Sequence, residues 1–208
     1  MDGVIMRKIV KVTWVLAMVL SLFLAGMLIG DKIYLRENMI RLRVVAASDS
    51  PEDQQVKLQV KDAVNDYLQE SLRDLQNTDQ VRHFLENNLS QLTKIADDVL
   101  DSVGNDSRSK VYLTCEAANS RDYETFSLPS GIYETLRVDI GPAGGENWWC
   151  VVFPSLCVPE SREDFASEAE AYGMRPGLTA ALTRGKTVKV RFFLLDCIGK
   201  IENILKNS

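Results

Sequence analysis

The spacing of apolar residues changes several times along this chain, and each change marks an element. From Val12 to Ile29 nearly every side chain is apolar; Thr13, Ser21 and Gly26 interrupt the run without charge, and Asp31 and Lys32 end it. Wound as a helix, the run spans about 27 Å at about 1.5 Å per residue. That is close to the thickness of a hydrocarbon core, about 30 Å. A helix satisfies its own backbone hydrogen bonds in lipid, and a soluble core helix of this length would show a polar stripe that is missing here. Arg7, Lys8 and Lys11 precede the run. Residues 1–11 are therefore expected on the cytoplasmic side, residues 12–30 in the membrane and residues 31–208 outside it. A cleaved signal peptide has a shorter apolar region, about 7–15 residues, and an A-x-A-like site. Residues 21–30 match that poorly, which favours a retained single-pass anchor; the alternative is release after cleavage near residues 25–31.

Beyond the run, Ile40 to Ala47 alternates and is rich in β-branched residues, which predicts a strand. Ser50, Pro51 and Asp53 make a helix start: an N-cap, a first-turn proline and the acid of a capping box. Val56, Val60, Val64 and Leu68 then keep one helical face apolar. A second helix, capped by Thr78, carries a cleaner stripe from Val81 through Leu85, Leu92 and Ala96 to Val103, and Gly104 stops it. These two helices are expected to form a hairpin joined near Asn77. After Gly104 the period falls to two. Lys110–Ala117, Tyr123–Leu128, Ile132–Ile140 and Asn147–Phe153 read as strands, with a turn at Pro129-Ser130-Gly131 and a loop at Gly141–Gly145. Ser161–Tyr172 reads as a polar helix, and residues 187–206 as a short strand followed by an amphipathic helix. The order predicts an α+β domain, a helical hairpin packed on a mostly antiparallel sheet.

Charge and chemistry narrow the function. The net charge is −5, and the lack of a basic patch beyond the N-terminal run argues against nucleic-acid binding. Cys115, Cys150, Cys157 and Cys197 can pair in three ways. Disulfides persist outside the cytoplasm. Cys150 with Cys157 closes the shortest loop, across Pro154 and Ser155, and would contribute about 2.5 kcal/mol on the chain-entropy model. The other reading is buried thiols acting as small apolar side chains. His83 is the single histidine; without a Cys-x-x-Cys partner set it makes no zinc site. There is no G-x-S-x-G, H-E-x-x-H or P-loop, and the GPAGG run precedes a strand, not the helix a phosphate cradle needs. The acidic pairs Asp97-Asp98 and Glu163-Asp164 read as solvated helix faces. No catalytic residue, metal, cofactor or small-molecule substrate is indicated.

Asn147-Trp148-Trp149-Cys150 resists a bland reading. Successive strand residues point to opposite faces. With Trp149, Val151 and Phe153 toward the core, Trp148 points the other way. It is then covered by the C-terminal helix or a loop, or offered to a partner, where tryptophan is a frequent anchor.

Three blocks carry a resemblance: IRLRVVAASDSPEDQQVKLQVKDAV (Ile40 to Val64), FSLPSGIYETLRVDIG (Phe126 to Gly141) and ENWWCVVFPSLC (Glu146 to Cys157). In content and order the chain resembles the stage II sporulation protein R family of endospore-forming bacteria. The resemblance implies a protein made in the forespore and exported toward the space between forespore and mother cell. There it would trigger a membrane-embedded aspartic protease of the mother cell, which matures the sigma-E precursor. It implies a ligand-like activator, not an enzyme. No catalytic residues carry over; the candidates for partner contact are Asn147, Trp148, Trp149 and Pro154, with Cys150 and Cys157 as a possible disulfide. The rival readings are a cell-wall hydrolase, with Glu116, Glu134 or Glu146 as its acid, and a passive septal structural protein.

Overall fold

A computed structural model describes residues 2–123, 125–154, 162–183 and 189–206. Along the chain run α1 (Asp2–Asn38), β1 (Ile40–Val45), α2 (Pro51–Ser71), α3 (Thr78–Ser102) and β2 (Ser109–Ala118). They are followed by β3 (Arg121–Asp122), β4 (Ser127–Leu128), β5 (Gly131–Ile140), β6 (Asn147–Phe153), α4 (Arg162–Ala171), α5 (Pro176–Leu182) and α6 (Lys189–Lys206). The main sheet has the strand order β2-β5-β1-β6. Its central pair, β1 and β5, is parallel, and both outer pairs are antiparallel. The domain is thus α+β with a mixed, mostly antiparallel sheet.

Alternation along β1 sorts the two cores. Ile40, Leu42 and Val44 point to one face and pack with Leu136 and Val138 against the α2–α3 hairpin. The opposite face begins a second core, built from Leu35 and Met39 of α1, Tyr133 of β5, Phe165 of α4, Leu178 of α5 and Leu195 of α6. Each helix contributes one apolar stripe, the ordinary way an amphipathic helix covers a sheet.

Local chemistry explains the boundaries and several departures from expectation. The Ser50 hydroxyl caps α2 by accepting from the Asp53 N–H at 3.1 Å. Asp53 does not close the box; its carboxylate takes the Ser48 hydroxyl at 2.5 Å. The cap of α3 is Asn77, not Thr78: Asn77 Oδ1 accepts from the Gln80 N–H at 2.9 Å, and Thr78 is buried inside the first turn. The expected strand over Tyr123–Leu128 shrinks to the two residues of β4, which pair with Arg121 and Asp122 of β3. The Tyr123 N–H donates to the Phe126 carbonyl at 2.8 Å, which turns the chain there. Phe126 then stacks between Tyr123 and Phe165 instead of extending a ladder.

Toward the C-terminus, Val190 and Phe192 are helical, so the strand expected before the last helix is absent from the described part of 187–206; Val188 lies outside the described residues. Phe192 and Leu195, nearly one turn apart, both enter the second core, and that burial decides for helix. The short α5 is additional to the elements read from sequence; Pro176 at its first position was the signal available.

The apolar helix is long and apolar enough to cross a membrane by length and composition, and so fits an anchor or a signal sequence. It passes residue 30 without a break. Asp31 is fully buried against Arg175, and the Lys32 ammonium donates to the Ser130 carbonyl at 2.6 Å and meets Glu202 at 3.3 Å. Asp196 of α6 accepts from the Ser130 N–H at 2.8 Å. Burial alone would raise the Asp196 pKa; the hydrogen bonds from Lys200 and Ser130 outweigh it, and the carboxyl titrates below its usual range.

Gly199 sits where α6 crosses this junction. A Cβ there would lie 1.5 Å from the Ser130 carbonyl oxygen. Gly199→Ala is therefore expected to push α6 off the sheet and lower stability by about 1–3 kcal/mol. Thermal unfolding reads this as a fall in Tm of about 2–12 °C; an unchanged Tm would contradict the packing.

Candidate functional site

The second face of the sheet has a covered half and a polar half. α1 and α6 pack on β5, and α6 also reaches β2. Beyond them the same face carries Arg43, Arg137, Tyr112, Asp139, Asn147 and Trp149, all half-buried. Register places them together. Arg43 lies opposite Arg137 of β5 and Trp149 of β6, and Tyr112 of β2 lies opposite Arg137. Two arginines side by side repel. Glu116 of β2 answers both: its Oε2 lies 2.7 Å from Arg43 and 3.6 Å from Arg137. Arg137 also meets Asp139 at 2.7 Å, and the Tyr112 hydroxyl donates to Asp139 at 2.9 Å. Burial, then that hydrogen bond, push the Tyr112 phenol up, so it stays a donor at neutral pH.

Arg41 lies one step further in on the same face and is 1% exposed. Its guanidinium stands over the Trp149 ring at 4.4 Å and the Tyr133 ring at 5.3 Å. Arg43 shares the Trp149 ring at 4.9 Å. The Tyr133 hydroxyl donates to the Pro129 carbonyl at 2.7 Å; burial pushes this phenol well up, so the ring remains neutral beside the cation.

The residues singled out from the sequence separate. Asn147 and Trp149 join the polar face: Asn147 Oδ1 accepts from Arg43 Nε at 2.6 Å. Trp148 points to the opposite face, as alternation requires. Its cover there is the α2–α3 side, with the Lys61 ammonium 4.9 Å above its ring, instead of the C-terminal helix or a loop. Phe153 departs from the expected alternation. A register shift at Ile40/Arg41 turns it into the same core as Cys150 and Val152, away from Trp149 and Val151. Pro154 is buried behind it. Cys150 is buried and disulfide-bonded, whereas Cys115 and Cys197 are free. Cys157 lies outside the described residues.

The carboxylates proposed for hydrolysis do not converge. Glu134 faces the helical hairpin, where Arg82 holds it at 2.9 Å, while Glu116 is on the polar face and Glu146 is exposed. His83 is exposed on α3. Asp97 is not simply solvated: it accepts from the Ser109 N–H at 2.7 Å and so caps the start of β2. Among the described residues no group of His, Cys, Asp and Glu could hold a metal ion. Arg41, Arg43 and Arg137 were missed as site residues. Their signal was there, since IRLRVV puts two arginines two apart and hence on one strand face.

Fold and site define an α+β domain built onto an apolar helix, with charged residues gathered on one sheet face. The family model of stage II sporulation protein R matches residues 36–163, and the chain belongs to that family. It is 26% identical over 221 residues to stage II sporulation protein R of Bacillus subtilis (strain 168), an alignment covering 92% of this chain and 99% of that protein. No solved structure matches.

The polar network yields a prediction. Glu116→Gln leaves Arg43 and Arg137 facing each other with their shared anion gone. The expected loss is about 1–3 kcal/mol, below the full penalty for a buried pair because both arginines keep some solvent. Denaturant unfolding measures it, and Arg137→Gln added to Glu116→Gln should restore part of the loss. An unchanged unfolding midpoint in the single variant would show the network carries no load.

Proposed function

We propose that this chain is an exported sporulation signal that activates a membrane-embedded aspartic protease of the mother cell, which then matures pro-sigma-E. Membership of the stage II sporulation protein R family is the observation that carries the reading. On this reading α1 enters the membrane with residues 1–11 cytoplasmic. Residues 31–208 then face the space between forespore and mother cell, anchored or released after cleavage. The domain acts as a ligand and performs no chemistry of its own.

Two structural features support this reading. The apolar helix joins the domain core, which suits a domain presented at a membrane surface. The polar face combines arginines, Tyr112 and Trp149, residue types that anchor protein contacts. Asn147 and Trp149 are accordingly proposed as partner contacts, while Trp148 and Pro154 serve packing. A cell-wall hydrolase would need paired carboxylates about 5–9.5 Å apart across a substrate, and Glu116 and Glu134 lie on opposite faces of the sheet.

The test is a deletion in a sporulating host, with sigma-E followed by immunoblot. The precursor should accumulate, and the intact gene supplied to the forespore should restore the mature form. Normal maturation in the deletion strain would overturn the reading.

A further inference from the structure

Arg41 is the largest of the fully buried side chains. Among the described residues, its buried Nε and Nη1 atoms meet no hydrogen-bond acceptor. A buried cation without a counter-charge is costly. The Trp149 and Tyr133 rings offset part of that cost, because aromatic faces attract cations. They do not satisfy the in-plane N–H groups, which need an acceptor.

The nearby anions make their contacts with other groups, and Glu116 Oε1, a buried carboxylate oxygen without a hydrogen-bond partner among the described residues, does not reach Arg41. Glu116 Oε2 serves Arg43 and Arg137, and Asp139 serves Arg137 and Tyr112. On the α6 side, Glu202 pairs with Lys32 and Asp196 with Lys200. The sheet face itself carries Arg41, Arg43, Arg137 and Lys110 against Glu116 and Asp139. This is a cationic excess on a chain whose net charge is −5.

We propose that Arg41 receives a carboxylate carried by a partner polypeptide, the side chain of a Glu or Asp docked beside Trp149. The two rings hold the guanidinium in place, and a carboxylate is the planar acceptor that such a fork matches. The clamp meets solvent at half-buried Trp149, and the residues around it form a broad half-buried sheet surface of Arg43, Asn147, Arg137 and Tyr112. That shape suits a protein surface better than a small free anion, and the charge excess complements an acidic partner. The inference rests on the domain being a docking module, whichever protein it meets.

The experiment uses the full chain in nanodiscs with 15N-labelled arginine. The Arg41 Nε–H resonance is followed against acetyl-Ala-Glu-Ala-amide, its Gln counterpart, and inorganic phosphate. The Glu peptide should shift the resonance saturably and the Gln peptide should not. Read at the Trp149 indole N–H, Arg41→Lys should weaken the Glu peptide at least tenfold, because an ammonium keeps the charge but loses the fork. The wild-type titration stands even if that variant does not fold. A shift with phosphate alone, an equal shift with the Gln peptide, or no shift at all overturns the proposal, the last meaning that internal water holds the donors. The titration is independent of sigma-E maturation, so its failure and that of the proposed function are distinguishable.

Discussion

The fold depends on one covalent constraint: a single residue, Met39, separates the end of α1 from the start of β1. There is no linker to decouple the apolar helix from a central strand of the sheet. The last turns of α1 are consequently part of the domain. Leu35 and Met39 fill the second core, Asp31 is paired with Arg175, and Lys32 is held by Ser130 and Glu202. Charged groups taken out of water this way are tolerated only when paired and hydrogen-bonded. Arg175, the N-cap of α5, and Glu202 of α6 supply much of that pairing, and α6 fits because Gly199 lets it approach the Ser130 carbonyl.

The same constraint orients β1, and with it both faces of the sheet. Ile40, Leu42 and Val44 are committed to the α2–α3 hairpin, so Arg41 and Arg43 must take the face that α1 and α6 share. Part of this face is covered by the second core, and the rest holds the arginine network around Trp149. On the proposed reading, in which α1 lies in a membrane, the network has a set orientation relative to the bilayer. A partner in an opposing membrane would then meet a presented surface instead of a freely tumbling domain. Cleavage near residues 25–31 would give up that orientation while leaving the stub that completes the core.

Much of the fold was legible because hydrophobic period is local. The apolar run, the α2–α3 stripe, the Gly104 stop and the β2, β5 and β6 patterns all fall within windows of a few turns or one strand. What escaped was tertiary. Tyr123–Leu128 looks like a strand until Phe126 finds Phe165, and residues 189–192 look like one until Phe192 and Leu195 find the second core. The choice of Asn77 over Thr78 as cap rests on a geometry that both residues could have offered. The site was half legible for the same reason. Asn147 and Trp149 stood out locally, but Arg43 and Asn147 are 104 residues apart. Nothing short of the β1–β6 register brings them together. Trp148 drew equal notice from the sequence; it lies half-buried on the opposite face, against the core under the α2–α3 hairpin.

The most direct test of the central claim is amide hydrogen exchange on the full chain in nanodiscs, comparing residues 35–38 of α1 with β1 and β5. If the end of α1 is part of the domain core, its amides open only with the whole domain and exchange as slowly as those of the central strands. Exchange orders of magnitude faster than in β1, with β1 still protected, would make α1 a tether hung on a finished domain and would contradict the account.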